Sequence, residues 1–221
     1  MPAFLRLFDA VRFAATASLV VWSLSSVAFG EVLHFTDYAA WSSGPDTTVS
    51  GTETFENLNG LYDPSVSGTV GGVGWTATAT GGVYVDGLGG SQAMSTNIAS
   101  PLVFSYDFGV GLTGVGGRIL ATNEGFAFMP GSMSVLVTLA DTTSQAFARD
   151  IASADDFWGF RSTGAAISSI TITPGAGYIE TAFPTIDNMV VAVPEPSTWV
   201  MGAVGIACGA AAACRRRSKI A

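Results

Sequence analysis

The chain has 221 residues with a formal net charge of −8, of which 48% are hydrophobic and only 12% are charged. Both cysteines, Cys208 and Cys214, lie near the C-terminus, so the rest of the chain has neither disulfide nor thiol chemistry. Six of the nine basic residues lie near the two ends, and the absence of clustered Lys and Arg between them argues against a nucleic-acid partner.

The N-terminus has the three parts of an export signal. Arg6 and Arg12 precede an apolar run over residues 13–27, and small residues follow it. A basic region, an apolar region and an A-x-A-like step are typical of a secretory signal peptide. We therefore predict a helical signal peptide over residues 1–30, which signal peptidase removes after Gly30 or two residues earlier. An uncleaved N-terminal helix is the alternative.

The body of the protein is predicted over residues 31–192, a length that suits one domain with a sizeable core. It contains three arginines, no lysine and fifteen acidic residues, which give a net charge of −12. Such acidity fits a solvated extracellular surface, and it leaves carboxylates available to a hard cation such as Ca²⁺.

Alternation of apolar and polar residues with a period of two dominates this body, and no long 3.6-residue period appears. The alternation predicts strands at 31–35, 49–56, 74–80, 82–86, 102–108, 114–121, 133–140, 145–151, 157–161, 167–173, 178–181 and 185–191. Glycine and proline pairs predict turns at 71–72, 81–82, 89–90 and 174–175. Asn59-Gly60 has the composition of a hairpin turn, and residues 40–43 suit one helical turn. Many short strands predict an all-β fold, namely a jelly-roll-like β-sandwich.

The last 29 residues have three parts in order, beginning with Pro194, Glu195 and Pro196, whose prolines break the preceding structure. Residues 198–214 carry no charge, and as a helix they would be about 26 Å long, just enough to cross most of a bilayer's hydrocarbon. A basic cluster then anchors the C-terminus on the cytoplasmic side, by the positive-inside rule. That cluster is Arg215, Arg216 and Arg217.

This tail resembles the PEP-CTERM sorting signal of Gram-negative bacteria that make exopolysaccharide, which is also catalogued as the ice-binding protein C-terminal domain. We assign the signal to residues 193–221. The resemblance implies that exosortase, a membrane protease, cuts near the Pro-Glu-Pro motif. It also implies a precursor held in the inner membrane by a single transmembrane helix, and a body that reaches the outer surface or the extracellular matrix. An ordinary C-terminal anchor that is never cut is the alternative.

Two stretches of the body are similar to segments that recur in PEP-CTERM surface proteins. Residues 156–162 read DFWGFRS and residues 167–172 read ISSITI, which resembles an F-x-G-F-x-S … I-x-x-I-x-I pattern. Residues 183–191 are similar to the final IDN strand of those proteins. Such bodies resemble carbohydrate-binding and lectin-like jelly rolls, and the resemblance supports the fold more than any ligand.

Catalytic motifs are missing from the sequence. His34 is the only histidine, and no G-x-S-x-G elbow supplies a nucleophilic serine. No H-E-x-x-H or C-x-x-C motif supplies zinc ligands. Glycoside hydrolysis needs two facing carboxylates, and the candidates are Glu53, Glu56 and Glu124, although nothing selects a pair. We therefore expect a protein that is not an enzyme, with a glycoside hydrolase as a remote alternative.

Calcium is the metal that the sequence favours. The first and last strands of a jelly roll are often neighbours, which would bring Glu56 close to Asp187 and Asn188. Because Ca²⁺ prefers carboxylate and amide oxygens, these three residues predict a structural calcium site. In the alternative interpretation, Glu56 faces solvent and Asn188 caps a turn.

A sugar site would need an exposed aromatic ring with polar neighbours. The candidates are Trp41, Trp75, Tyr84, Trp158 and Tyr178. Of these we single out Trp75 and Trp158 for glycan binding, with core packing as the competing interpretation of Trp158. Threonines recur at alternate positions over 76–80 and 171–173, as an ice-binding face would require, but threonine is also a common strand residue.

The sequence therefore leaves three functional hypotheses. The first is a non-catalytic surface or matrix protein, exported, sorted by exosortase and associated with exopolysaccharide or biofilm. The second is a carbohydrate-binding, lectin-like module in the same place, with or without a dependence on Ca²⁺. The third is the glycoside hydrolase.

Overall fold

The computed structural model describes residues 30–44, 47–107, 111–178 and 181–195. These residues contain fifteen strands and one short helix, joined by turns and loops. In chain order they are β1 (Val32–Phe35), α1 (Tyr38–Ser42), β2 (Thr47–Glu53), β3 (Gly60–Tyr62), β4 (Ser65–Val70), β5 (Val73–Thr78), β6 (Val83–Leu88), β7 (Ser91–Thr96), β8 (Leu102–Tyr106), β9 (Gly114–Thr122), β10 (Phe128–Met129), β11 (Gly131–Leu139), β12 (Ser144–Ile151), β13 (Phe157–Ser162), β14 (Ile167–Pro174) and β15 (Phe183–Pro194). The predicted signal peptide and transmembrane helix lie outside the described residues.

The strands form two antiparallel sheets. Sheet A has nine strands in the order β1-β13-β9-β15-β7-β6-β3, with β10 beside β9 and β2 beside β15. Sheet B has six strands in the order β12-β11-β14-β8-β5-β4. Side chains from both sheets meet in one large apolar cluster, as in a β-sandwich. The all-β, jelly-roll-like sandwich that the sequence predicts is confirmed.

Alternation along the strands places the core between the sheets. In β5, Trp75 and Ala77 are buried, whereas Thr76 is half-buried and Thr78 exposed on the opposite face. Strand β9 departs from this pattern, since eight of its nine residues are buried. It lies in the interior of sheet A, between β13 and β15, and side chains on its outer face are covered as well.

Helix α1 covers one end of the outer face of sheet A. Asp37 caps its N-terminus by accepting a hydrogen bond from the backbone N–H of Ala40 at 2.8 Å. The helix buries Trp41, whose indole N–H donates to the carbonyl oxygen of Phe160 at 3.1 Å. A second, smaller apolar cluster forms around this ring, outside the main core. The helical turn predicted at residues 40–43 is thus confirmed.

Several sequence predictions differ from the observed elements. Strands β3, β4, β7 and β10 were not predicted, because they are short or lack a clear apolar alternation. The hairpin at Asn59-Gly60 is wrong, since the flanking strands β2 and β3 pair with β15 and β6 rather than with each other. Tyr178 and Thr181 lie outside any strand, so the strand predicted at 178–181 is also wrong at both ends.

Among the described residues, no helix is both long and apolar enough to cross a membrane. The predicted transmembrane segment, residues 198–214, is not among them.

Candidate functional site

A groove of about 450 Å³ opens on the face of sheet A that points away from the core. Strands β6 and β7 form one side of it, and the loop between β9 and β10, residues 123–127, forms the other. Its lining combines aromatic rings, carboxylates, amides and hydroxyl groups. A concave site with a few convergent polar groups is the usual form of a small-molecule or glycan site.

Two aromatic rings form the wall of the groove. In β6, Val83 and Val85 are buried in the core, so Tyr84 between them faces the groove. The ring centroids of Tyr84 and Phe126 are 5.9 Å apart, at an angle of 59°. Both side chains are half-buried, so part of each ring remains open to solvent.

The loop that carries Phe126 is fixed by its own hydrogen bonds. The Asn123 side-chain oxygen accepts from the backbone N–H groups of Gly125 and Ala127, each at 3.0 Å. The backbone of Asn123 also pairs with Phe126 and Ala127 at 3.0 Å. These bonds hold Phe126 at φ 58°, a left-handed conformation that is strained for a bulky residue. Such strain is typical of sites where a side chain must be held in place.

Buried hydroxyl groups tie the floor of the groove together. Thr185 lies on β15 and bonds to Thr122 of β9 at 2.8 Å and to Ser95 of β7 at 2.9 Å. Ser95 in turn donates to the carbonyl oxygen of Pro184 at 3.1 Å. Three neighbouring strands are thereby cross-linked beneath the opening, which makes the floor rigid.

The rim of the groove is acidic. Asp86 follows Tyr84 on the same face of β6, and Glu124 lies in the loop opposite. Both carboxylates are exposed, and no lysine or arginine is among the described residues that line the groove. The site therefore has negative electrostatic potential, which disfavours anionic ligands.

The three carboxylates considered for glycoside hydrolysis lie in different surroundings. Glu53 accepts hydrogen bonds from the Phe55 backbone N–H at 3.0 Å and the Trp75 indole N–H at 3.3 Å. Glu56 accepts from the backbone N–H of Gln92 at 3.1 Å, and Glu124 is the one in the groove. Glycosidases typically place their general acid in buried, apolar surroundings. Glu124 and Asp86 are both exposed, so neither has such surroundings.

The predicted sugar platform at Trp75 or Trp158 is wrong, because both rings are buried. Trp75 is 3% exposed and packs on Phe55 and Phe104, and Trp158 is 0% exposed and packs on Phe160. The competing interpretation of Trp158 as a core residue is the one observed. Of the five aromatic candidates, Tyr84 lies in the groove, together with the carboxylate candidate Glu124.

The predicted calcium residues have other partners. Glu56 is exposed, whereas Asp187 is buried and its Oδ2 accepts from Ser91 at 2.9 Å, Asn188 at 3.2 Å and Arg118 at 3.4 Å. The described residues contain no group of three or more His, Cys, Asp and Glu that could hold a metal ion. A calcium ion at these residues stays a prediction, and the contacts of Asp187 favour the ion pair over the metal.

The last strand, β15, pairs with the second strand, β2, which lies just before Glu56 in the chain, whereas the first strand, β1, pairs with β13. The bulge in β15 lies beside Asn188, which has a φ of 50°. Asparagine tolerates this left-handed conformation, which explains its place after Asp187.

The alternate threonines at 76, 78, 171 and 173 lie on the outer face of sheet B as part of a wider pattern, whereas Thr80 lies in the turn after β5. One hydroxyl residue from each of the six strands stands in register across the whole sheet. The row is Ser67, Thr76, Ser105, Ser169, Thr138 and Ser144. Neighbouring members bond to each other at its two ends, at 2.9 Å and 3.1 Å. Part of the row is thus satisfied within the protein.

The predicted processing motif begins where the sandwich ends. Strand β15 ends at Pro194, which stands opposite Thr47 in β2, and both Pro194 and Glu195 are exposed. Pro196 and the basic cluster at 215–217 lie outside the described residues.

A comparison with protein-family models matches residues 192–217 to the PEP-CTERM protein-sorting motif. The chain carries a PEP-CTERM sorting motif. This finding indicates an exported protein that exosortase recognises and that is processed at a membrane anchor. The match covers the C-terminal tail only, so it does not indicate the function of the body over residues 31–192.

Two further comparisons concern the body. A comparison with curated proteins gave no match. Among solved structures, the chain has a likeness to the one described as "Solution structure, dynamics and binding studies of CtCBM11", at 10% sequence identity and a TM-score of 0.17. That likeness covers 70% of this chain and 98% of the other, and it is too weak to carry an argument.

The sequence pointed to Tyr84 and Glu124 among the residues that line the groove but not to the others, which include Asp86, Asn97, Asn123 and Phe126. Asp86 shares a strand face with Tyr84, and that spacing of two was visible in the sequence. The position of Phe126 was not visible in the sequence, since it depends on how the loop at 123–127 folds and brings this ring against Tyr84 of β6.

Proposed function

We propose that the mature body is a non-catalytic cell-surface or extracellular-matrix protein that exosortase releases and that associates with exopolysaccharide. The observation that carries this proposal is the position of the sorting motif, which begins in the last three residues of β15 and continues beyond the strand. Strand β15 supplies core residues up to Val191, whereas Pro194 and Glu195 are exposed. A cut near the motif would therefore leave the sandwich intact.

The composition of the body supports the same destination. Its charge of −12 and its lack of cysteine suit an exported protein that folds without disulfides. Signal peptidase would remove residues 1–30, and the helix at 198–214 would hold the precursor in the membrane until exosortase acts.

Cell fractionation with and without exosortase tests this function. We expect the full chain in the membrane of cells that lack exosortase, and a shorter body at the surface or in the medium of cells that have it. A variant with Pro194, Glu195 and Pro196 all changed to Ala should behave in exosortase-bearing cells like the full chain in the deletion strain. A chain of the same size and location in all three strains would contradict the proposal.

A further inference from the structure

We propose that the groove between Tyr84 and Phe126 is a binding site for a neutral saccharide chain. The inference rests on the proposed association with exopolysaccharide and names the site and the class of sugar. It differs from the sequence-based expectation, because it uses neither Trp75 nor Trp158.

The aromatic wall supplies the surface on which a sugar ring packs. The faces of a pyranose carry C–H bonds with a small positive charge, and the face of an aromatic ring is negative, so the two attract each other. Tyr84 and Phe126 are both half-buried and their ring centroids are 5.9 Å apart, so one ligand can contact the exposed parts of both rings. Neither ring belongs to the two apolar clusters of the described residues.

The polar groups of the groove match sugar hydroxyls. Glu124 offers carboxylate oxygens as acceptors, and Asp86 offers Oδ2, since its Oδ1 accepts from the Gly87 backbone N–H at 2.7 Å. Asn97 offers its oxygen and Asn123 its amino group, because the other half of each amide is bonded within the protein. Hydrogen bonds that involve a carboxylate are stronger than neutral ones, and two oxygens can accept from adjacent hydroxyls. Both carboxylates are exposed, so they reach a ligand without first losing a buried partner.

The charge of the groove restricts which sugars bind. No arginine or lysine among its described lining residues offsets Asp86 and Glu124. A uronic acid, sulfate or phosphate group would therefore be repelled, more strongly at low salt. This argues for a neutral hexose polymer rather than a polyuronate.

Hydrogen bonds within the protein fix the shape of the groove. Asn123 fixes the loop through two side-chain hydrogen bonds of 3.0 Å, and the hydroxyl chain through Thr185 fixes the floor. Binding thus requires little ordering of the protein, which lowers its entropic cost. The strained backbone of Phe126 is consistent with a ring held in place for a ligand.

Native affinity electrophoresis of the full chain in detergent tests the site. The gels contain dextran, laminarin, mannan or the exopolysaccharide of the producing strain, with alginate as the polyuronate. We expect retardation by at least one neutral polymer and none by alginate, with little change between low and high salt.

Substitutions then locate the binding. Tyr84→Ala and Phe126→Ala should each weaken affinity about tenfold, the loss expected for an aromatic contact. Tyr38→Ala is the matched control, since Tyr38 is an exposed tyrosine outside the groove and should leave affinity unchanged. Circular dichroism checks that each variant folds, and the two groove variants make the test independent of either one.

Three outcomes would overturn the inference: no retardation by any neutral polymer, retardation by alginate as strong as that by a neutral polymer, or unchanged affinity in both groove variants. These are separate from the sorting experiment, which follows size and location in cells. A chain that binds sugar in the gel but is never cut would contradict the sorting proposal alone.

Discussion

Gly159 occupies a place where no side chain fits, because aromatic rings pack directly on its backbone. A Cβ atom there would lie 2.6 Å from Cδ1 of Trp41 and 2.8 Å from Cε1 of Phe157. Trp158 and Phe160 belong to the core between the sheets, whereas Phe157 and Trp41 belong to the smaller apolar cluster on the outer face. The rings of this smaller cluster contact the backbone of Gly159, which gives a physical reason for a glycine in the FWGF segment.

We therefore predict that Gly159→Ala destabilises the fold by about 1–3 kcal/mol, the usual cost of overpacking. The free energy of unfolding from urea titration measures this. Gly87→Ala is the control, because nothing lies within 4 Å of the added Cβ and no left-handed φ is involved. Equal stability of the two variants would show that Trp41 moves aside without cost.

Because of buried Tyr106, we expect the free energy of unfolding to fall at alkaline pH. Burial raises the pKa of its hydroxyl above the usual 10.0, and its hydrogen bond is a weak one to the Met189 sulfur at 3.6 Å. Above about pH 10 the unfolded chain loses this proton while the folded chain keeps it, so stability falls as pH rises. Partial burial and the charge of Asp150 also raise the pKa of Tyr178.

We expect Tyr106→Phe to change stability by less than about 1 kcal/mol at pH 7 and to reduce the loss of stability above pH 10. Tyr178→Phe should have a smaller effect in the same direction. Urea midpoints from pH 7 to pH 11 give the comparison. An alkaline slope identical in wild type and Tyr106→Phe would contradict the assignment.

At the scale of elements, the loop between β9 and β10 depends on one side chain. Asn123→Ala removes both hydrogen bonds that its oxygen accepts and frees Phe126 from its fixed position. We predict a loss of about 1 kcal/mol in stability and weaker retention by the neutral polymer. Faster amide exchange at Gly125 and Ala127 would accompany it.

The loop between β11 and β12 supplies the matched control. Asp141 there accepts from the Thr143 hydroxyl at 2.6 Å and from the Thr143 backbone N–H at 3.0 Å. These hydrogen bonds lower the pKa of the Asp141 carboxyl. Asp141→Ala removes a similar turn far from the groove residues in sequence, so it should leave sugar binding unchanged. Equal loss of binding in both variants would refute a specific role for Asn123.

The elements also show how far the sequence could predict this protein. Strands with β-branched residues at alternate positions, such as β14, were predicted to within one residue. Strand β7 was missed because its sequence, SQAMST, has no strong alternation, and neighbouring strands hold it in the sheet. Tyr84 and Glu124 were both predicted as candidates, but their meeting in one groove depends on pairings between distant segments, which periodicity does not contain.

At the scale of the whole molecule, the strand that ends at the sorting motif is paired with a strand from the beginning of the body. Strand β2 lies early in the body and pairs with β15, at whose end the sorting motif begins. The C-terminal end of the body is thereby tied into sheet A along several residue pairs. Loss of the residues after Val193 would leave the β2–β15 pairs up to Val193 in place, so we expect the body to stay folded after processing.

The acidity of the body sets its response to salts. Fifteen acidic residues face three arginines over residues 31–192, and Arg118 already contacts Asp155 at 3.1 Å and Asp187 at 3.4 Å. The excess negative charge repels itself, so sodium chloride should raise the melting temperature by screening. Calcium chloride at equal ionic strength should do no more, because the guanidinium of Arg118 neutralises the buried carboxylate that a metal would need.

Melting curves in EDTA, in sodium chloride and in calcium chloride of matched ionic strength decide between screening and a metal site. A calcium-specific rise, lost in the Asp187→Asn variant, would restore the calcium site at Glu56, Asp187 and Asn188. Without calcium, we expect Asp187→Asn to destabilise the fold by about 1–3 kcal/mol, since Arg118 would lose its buried partner but stays partly solvated. The two explanations therefore differ in whether calcium raises the melting temperature of the wild-type chain beyond the rise in sodium chloride, and one set of curves separates them.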